Sequence, residues 1–148
     1  MTDASDMVKL YSNRILALAA DIPHADRLAS PQASEMKRSP LCGSTVTVDV
    51  CVKDGVVSDF GQDVKACALG QASASVLGGA VLGQSLDTIR TGRDQLAAML
   101  KSDGPVPDAP FDGLEVLQPA KAYKNRHASI LLAFDATVAA LESLSQAA

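Results

Sequence analysis

The stretch "STVTVDVCVKDGVVSDF", Ser44 to Phe60, decides the fold, because its alternation is that of two strands joined by a tight turn. Valines at positions 46, 48, 50 and 52 share one face, and polar residues or Cys51 occupy the alternate positions. Lys53-Asp54-Gly55 suits a three-residue loop, a type I turn followed by Gly55 in the left-handed region. The return strand is predicted to run from Val56 to about Ala66.

The predicted loop also sets the register of the hairpin. The expected pairs are Val52 with Val56, Val50 with Ser58, Val48 with Phe60 and Ser44 with Val64. A slip by one residue would turn Asp59 and Asp63 toward the core, which argues against that alternative. The sequence therefore predicts a half-buried antiparallel hairpin with its valine face inward.

The three cysteines fall into two groups. The predicted register places Cys42 opposite Ala66 and so beside Cys67, at the open end of the hairpin, whereas Cys51 lies near its turn. Cys67 also stands before a predicted helix, whose N-terminus can lower the pKa of a thiol. Two reachable thiols favour a site for a soft metal or for sulfur. The alternative is that both are small, buried, inert side chains.

Helices are predicted on both sides of the hairpin from apolar residues at helical spacing. The predicted elements are a helix from Ala4 to Ala20 capped by Asp3 or Ser5, one from Gly70 to Leu82, one capped by Ser85, a short turn at Leu114 to Pro119, and an amphipathic helix from Tyr123 to Leu144. Residues 21–43 are interpreted as an irregular connector, and Ser102 to Gly113 as a loop.

Composition narrows the class of protein. The 148 residues predict one domain, 1–148, and 47% hydrophobic content with only 3% aromatic residues predicts an aliphatic core. A net charge of −4 argues against nucleic-acid binding. The sequence predicts neither a membrane span nor a secretory signal. An odd number of cysteines, three, suits a reducing compartment, so a cytoplasmic protein is expected.

Three runs of the chain resemble one protein family. They are "SPLCGSTVTVDVCVKDGVVSDF", "CALGQASASVLGGAVLGQSLDTI" and "LEVLQPAKAYKNRHASILLAFDAT". They resemble the NifU/IscU-type iron–sulfur cluster assembly scaffolds, and the insertion from Ser102 to Gly113 resembles the SufU-like branch. In that family a Cys-Gly-Asp enters a strand, a second cysteine precedes a small-residue helix, and a third cysteine precedes the last helix.

The resemblance assigns site residues one by one. Cys42 and Cys67 match the first two cysteines, Ser44 stands at the aspartate position, and Ser129 stands at the third cysteine. His127 lies one residue from the histidine of the IscU-like branch. The expected metal ligands are Cys42, Cys67 and Ser44. The cargo site is expected to be completed by His127 or Ser129, by a second protomer, or by glutathione.

The resemblance further implies the fold and the role. It implies an α+β domain, a small antiparallel sheet of about three strands with helices packed on one face. The implied role is not enzymatic. The protein would transiently hold iron, sulfur or a [2Fe–2S] cluster, with a cysteine desulfurase and recipient apoproteins as partners. No nucleic-acid or membrane partner is expected, and a homodimer is left open.

Two alternatives stay beside this interpretation. One is a zinc-binding, SufU-like sulfur acceptor, with zinc in place of iron. The other is a paralogue that has lost cluster binding and acts as an interaction or regulatory module. Ser44 and Ser129 motivate the second alternative, because a neutral hydroxyl is a poor ligand for a soft metal.

Overall fold

The computed structural model describes residues 12–147, and their side chains as far as residue 145. In chain order the described elements are α1 (Asn13–Ala20), β1 (Ala33–Arg38), β2 (Thr45–Lys53), β3 (Val56–Lys65), α2 (Ala68–Ala80), α3 (Leu86–Lys101), 3₁₀ segments at Asp112–Ala122 and Lys124–Arg126, and α4 (His127–Ala147). The predicted caps Asp3 and Ser5 lie outside the described residues. At the start of α1, Ser12 Oγ accepts a hydrogen bond from the Ile15 amide.

The β2–β3 hairpin turns more tightly than the sequence predicts. Lys53 pairs with Val56, so Asp54 and Gly55 alone form the loop. Both have positive φ, 55° and 81°, as a type I′ turn requires. The predicted three-residue loop is therefore wrong. Asp-Gly is itself a favoured two-residue turn, because its twist matches that of the flanking strands.

A bulge then shifts the strand pairing further. The predicted register is therefore wrong, as the predicted loop is. Val52 pairs with Val57 and Cys51 with Asp59, so Ser58 is an extra residue in β3. Beyond the bulge, each pair lies two residues from its predicted place. Because side chains alternate with a period of two, the predicted buried face is preserved beyond the bulge. Between the turn and the bulge the shift is one residue, so Val57 is buried in place of the predicted Val56. That face carries Val46, Val48, Val50, Val57, Phe60, Gln62 and Val64.

Strand β1 lies inside the segment predicted to be an irregular connector, so that prediction is wrong for these six residues. Ala33 pairs with Val50 and Arg38 with Thr45, which makes β1 the edge strand beside β2. Only Ala33 and Glu35 are half-buried, and the other four residues are exposed. The hydrophobic pattern therefore carried no sign of a strand. The resulting sheet of three antiparallel strands confirms the fold class implied by the resemblance.

Helix α4 is the central element of the domain. It packs against β1 and β2 on one side and against α2 and α3 on the other. It begins at His127 rather than at Tyr123, because a 3₁₀ turn precedes it. Among the described residues, the stretch Lys124–Ser145 has the length and hydropathy of a membrane span, and 61% of its most apolar window is buried inside the domain. That burial is typical of the core helix of a globular domain.

Helix α2 begins directly after Cys67, two residues earlier than predicted, and runs through Gly78 and Gly79 to Ala80. Its small residues permit close packing: a Cβ added at Gly70 would lie 2.8 Å from Ser129 Oγ in α4. The next predicted cap is confirmed, because Ser85 Oγ accepts a 3.2 Å hydrogen bond from the Thr88 amide.

A buried carboxylate fastens the connector to the outer face of the sheet. Arg27 donates two hydrogen bonds to Asp49, of 2.6 and 3.0 Å, and the Leu28 amide and Ser34 hydroxyl donate to the same carboxylate. Gly61 faces the connector so closely that a Cβ there would lie 3.1 Å from the Leu28 amide. Asp49, which the alternation predicted on the polar face, is thus covered by the segment that precedes the hairpin.

Candidate functional site

Cys42 lies at the tip of a closed turn between β1 and β2. The Ser39 amide donates to Ser44 O at 2.8 Å, and the Gly43 amide donates to Ser39 O at 2.9 Å. Gly43 has φ +71°, a conformation that glycine adopts without strain. The thiol is exposed, and the neighbouring Leu41 is 74% exposed. The turn, rather than a strand pair, holds Cys42 in place.

Cys67 lies between the end of β3 at Lys65 and the start of α2 at Ala68. The ladder between β2 and β3 ends at the pair Thr45 and Lys65, so the predicted pairing of Cys42 with Ala66 is not formed. Cys67 takes the N-cap position of α2 in an extended conformation, and its side chain is half-buried. Its sulfur therefore lies beside the first free amides of the helix.

Two buried serines connect the cysteines. Ser44 Oγ lies 3.4 Å from Cys42 Sγ, and Ser129 Oγ lies 3.7 Å from Cys67 Sγ. Between them the Ser129 hydroxyl donates a 3.1 Å hydrogen bond to Ser44 Oγ. We call these four side chains the thiol–serine row. The structure thus brings together four of the five residues that the sequence assigns to the site.

Hydrogen bonds favour the thiolate form of Cys42. Its pKa is lowered to about 7, first by the hydrogen bond with Ser39 and then by that with Ser44. Cys42 Sγ lies 3.2 Å from Ser39 Oγ, and Ser39 is fully buried, so this hydrogen-bond partner is firmly placed. A large fraction of Cys42 is therefore thiolate at neutral pH, in an exposed position.

The pKa of Cys67 is also lowered, through a balance of opposing causes. Burial alone would raise it, and this is the largest single influence. Hydrogen bonds from the Gly70 and Leu69 amides, from Ser129 and from Arg126 together outweigh the burial. The N-terminus of α2 therefore contributes to Cys67 as the sequence predicts.

His127 has a different environment from the thiol–serine row. It is buried, and its Nε2 lies 3.0 Å from Ala120 O and 3.2 Å from Lys121 O. Both neighbours are acceptors, so Nε2 carries the proton and donates. The imidazole thereby fastens the start of α4 to the preceding 3₁₀ segment.

Cys51 lies apart from the row, as the sequence predicts. It pairs with Asp59 near the hairpin turn, and its thiol donates to Ser30 O at 3.7 Å.

The thiol–serine row contains two thiols, which is half the number of ligands that a [2Fe–2S] cluster takes. Thiolates suit iron and zinc, but neutral hydroxyls are poor ligands for these ions, and a [2Fe–2S] cluster takes four protein ligands. Among residues 12–147, no three His, Cys, Asp or Glu side chains gather in a way that could hold a metal ion. The row therefore contains two candidate thiolate ligands, Cys42 and Cys67.

Sequence reasoning missed two residues that act on these thiols. Ser39 contacts Cys42, and Arg126 forms a hydrogen bond that lowers the pKa of Cys67. The Ser-Pro step at Ser39 and Pro40, just before Cys42, is typical of a turn and was an available sign for the first. Nothing in the spacing pointed to Arg126, since it comes from a distant part of the chain.

Comparison with known proteins identifies the family of this chain. The family model for the NifU-like N-terminal domain matches residues 10–129. The iron–sulfur cluster assembly scaffold protein IscU of Thermotoga maritima is 24% identical over 137 residues, which span 93% of this chain and 96% of that protein.

Solved structures share the fold. The N-terminal part of a nitrogen-fixing NifU-like protein from Brucella abortus matches with a TM-score of 0.94 and 43% identity, over 97% of this chain and 99% of that one. A putative iron–sulfur cluster assembly scaffold protein for the SUF system from Fervidobacterium islandicum matches with a TM-score of 0.80 and 18% identity, over 90% and 98%. From the extent of the family match, together with the shared fold, this chain belongs to the NifU-like N-terminal domain family.

Proposed function

We propose that this protein is an iron–sulfur cluster assembly scaffold, which holds iron, sulfur or a [2Fe–2S] cluster as cargo and passes it to recipient apoproteins. The observation that carries the proposal is the thiol–serine row, in which two thiols of lowered pKa are joined by buried hydroxyls. Family membership supports the same role. The chain acts by holding and transferring cargo rather than by turning over a substrate.

Cys42 is the residue that first meets the sulfur donor, a cysteine desulfurase carrying a persulfide. The Cys42 thiolate attacks the outer sulfur of the donor persulfide, and a new sulfur–sulfur bond forms on Cys42. The donor's own sulfur–sulfur bond breaks, and the donor cysteine leaves as a thiolate with the electron pair. Exposure and a pKa of about 7 are what such an attack requires.

Cys67 is the second cargo ligand. The two serines contact the thiols but do not supply a further thiolate, as a third cysteine would. Ser44 Oγ lies 3.4 Å from Cys42 Sγ, Ser129 Oγ lies 3.7 Å from Cys67 Sγ, and the hydrogen bond from Ser129 to Ser44 links the two contacts. His127 is a structural residue in this proposal, because its Nε2 proton is used by two backbone carbonyls.

The two other interpretations are weaker. A structural zinc site needs four firm ligands, as a [2Fe–2S] cluster does, so the two thiolates of one chain do not favour zinc over iron, and the matched relative is an iron–sulfur cluster assembly scaffold. A module that has lost all cargo binding has no use for two accessible thiols of lowered pKa at one end of the sheet. Iron and sulfur on Cys42 and Cys67 therefore fit the observations better.

Anaerobic reconstitution tests the proposal. The protein is incubated with iron and sulfide, freed of excess reagents, and examined by visible absorption together with iron, sulfide and zinc analysis. We expect a cluster spectrum that is lost in Cys42→Ser and in Cys67→Ser and kept in the matched control Cys51→Ser. Absence of bound iron and zinc from the parent protein would refute both metal-binding interpretations.

Sulfur acceptance is tested separately. The protein is incubated with a cysteine desulfurase and free cysteine, and the peptide that contains Cys42 is examined by mass spectrometry. We expect one additional sulfur atom on Cys42, removable by a reductant. Modification confined to Cys51 would contradict the assigned role.

A further inference from the structure

The outer edge of β3 is closed by other parts of the chain. Near the start of the strand, the Val57 amide donates to Gln84 O at 3.0 Å, and Val57 O accepts from the Gly83 amide at 2.8 Å. Further along, the Gln62 amide donates to His24 O at 2.9 Å, in the connector. The backbone groups that β3 turns away from β2 are thus used within the domain, which protects this edge of the sheet.

The outer edge of β1 is free. The Ser39 amide donates to Ser44 O, which fixes the phase of the hydrogen bonds between β1 and β2. Because these bonds alternate along an antiparallel pair, the N–H and C=O groups of Ser34, Met36 and Arg38 point away from β2. All three residues are exposed, and within residues 12–147 no group outside the sheet forms a hydrogen bond with their backbone. Such an edge is a template for one more strand.

The side chains of β1 alternate between two faces. Glu35 pairs with Val48 on the face that covers α4, and this half-buried residue is the one carboxylate of the strand. Met36 pairs with Thr47 on the outer face and is 55% exposed. An added strand would therefore meet an apolar side chain in the middle of the free edge.

The free edge is positively charged. Lys37 and Arg38 are exposed, and neither lies within 4 Å of a carboxylate of the described residues. Helix α3 adds further cations nearby: burial raises the pKa of Asp135 in α4, and Arg93 and Lys101 of α3 oppose it together with Lys37 of β1. In a protein of net charge −4, this local reversal of sign favours an acidic partner.

We infer that the free edge of β1 binds an extended, acidic segment of a partner protein, which adds a fourth strand to the sheet. Backbone hydrogen bonds to Ser34, Met36 and Arg38 hold the segment, and its carboxylates face Lys37 and Arg38. The chain passes from β1 directly into the turn that carries Cys42, so a docked partner approaches the exposed thiol. The surface lies outside the thiol–serine row, and binding to it requires no iron.

The test uses the full chain without iron and, as the probe, a blocked, fluorescent peptide of Glu-Val repeats. Anisotropy gives the affinity, and amide hydrogen exchange followed by NMR gives the place of binding. We expect saturable binding that weakens with salt, and binding of the matched Lys-Val peptide that is weaker by about tenfold or more. The peptide should slow exchange at the Met36 and Arg38 amides but not at Lys37, whose amide already bonds to β2.

Variants sharpen the test. Met36→Pro removes one outward N–H and leaves the bonds between β1 and β2 in place, so it should weaken binding of the Glu-Val peptide by about tenfold or more. Met36→Leu, which keeps both the N–H and an apolar side chain, is the matched control and should bind as the parent does. Lys37→Glu combined with Arg38→Glu should reverse the preference between the two peptides.

Two results would overturn the inference. The first is no binding of the Glu-Val peptide, or binding that leaves exchange at Met36 and Arg38 unchanged. The second is protection of these two amides without peptide, rising with protein concentration together with a dimeric mass, which would assign the edge to a second copy of the chain. Neither result bears on the scaffold function, which is measured by bound iron.

Discussion

The hydroxyl of Ser129 donates a 3.1 Å hydrogen bond to Ser44 Oγ, although the two residues are 85 positions apart in the chain. This contact joins the start of α4 to the start of β2, and each serine also contacts one of the two cysteines. Two hydroxyls thus meet where the family resemblance places a cysteine and an aspartate. The contact therefore links the surroundings of Cys42 to those of Cys67.

The reactivity of Cys42 should follow its lowered pKa. In a Cys51→Ser, Cys67→Ser background, the rate of alkylation by iodoacetamide should rise with pH and reach half its maximum near the value of about 7. Replacing Ser39 with alanine removes the hydrogen bond that lowers the pKa most, so the midpoint should move to higher pH. Ser143→Ala, at the far end of α4, is the control. An unchanged midpoint in Ser39→Ala would disprove the assigned cause.

Ser129→Ala should affect both the site and the stability of the fold. Ser44 loses its donor and Cys67 loses one of the hydrogen bonds that lower its pKa, so the pKa of Cys67 should rise. Loss of a buried hydroxyl partner should reduce the free energy of unfolding by about 1–2 kcal/mol. Urea unfolding and alkylation of Cys67 in a Cys42→Ser, Cys51→Ser background measure the two effects. A normal alkylation profile would rule out the role given to Ser129.

Asp49→Asn should weaken the attachment of the connector. The carboxylate is fully buried and accepts hydrogen bonds from Arg27, Leu28 and Ser34. Loss of its charge should cost about 2 kcal/mol at neutral pH, because hydrogen bonds to a charged group are strong but Arg27 is half-exposed. Asp63→Asn, at a half-exposed partner of Lys65 on the same hairpin, should change stability by less than about 0.5 kcal/mol.

The difference in stability between the parent protein and Asp49→Asn should depend on pH, in a direction set by the pKa of Asp49. The pKa of Asp49 is lowered in the folded state, chiefly by its hydrogen bond with Arg27. The contribution of Asp49 to the free energy of unfolding is therefore complete above its pKa in the unfolded chain, about 3.9. It is lost as the pH falls through the lower pKa of the folded state. Parent and Asp49→Asn should converge in stability below about pH 4. A stability difference that stays constant down to acid pH would show that the charge of Asp49 is not its cause.

Two glycines of α2 should respond to alanine in opposite directions. A Cβ at Gly70 would lie 2.8 Å from Ser129 Oγ and 2.9 Å from Ala66 Cβ, so Gly70→Ala should force α2 away from α4 and destabilise by about 1–3 kcal/mol. A Cβ at Gly79 would meet only Pro23 at 3.9 Å, so Gly79→Ala should stabilise by about 0.5–1 kcal/mol. Thermal unfolding of both variants measures the difference. Equal effects would disprove the close-packing explanation.

His127→Phe should lower the stability of the fold without changing the binding of iron. The ring volume stays, but Ala120 O and Lys121 O lose their donor, which should cost about 1–3 kcal/mol. Iron bound after reconstitution should be unchanged in the folded variant, as measured per chain below the unfolding temperature. Loss of iron with an intact fold would make His127 a ligand and would require a revised site.

Local patterns carried much of the fold. The valine alternation predicted the buried face of the hairpin. Beyond the bulge this face survived an incorrect loop and register because the total shift was two residues, whereas next to the turn Val57 is buried in place of Val56. The cap at Ser85 was predicted from spacing and is confirmed. Strand β1 was missed, because an edge strand with mostly exposed residues has no hydrophobic pattern to detect.

By itself the sequence determined most of the inward face of the hairpin and the family to which the chain belongs. Only the tertiary structure decided what lies between Cys42 and Cys67. The close approach of Gly70 to Ser129 and the burial of Asp49 against Arg27 each depend on residues far apart in the chain. Local propensity cannot register such contacts, because packing of α4 and the connector against the sheet creates them.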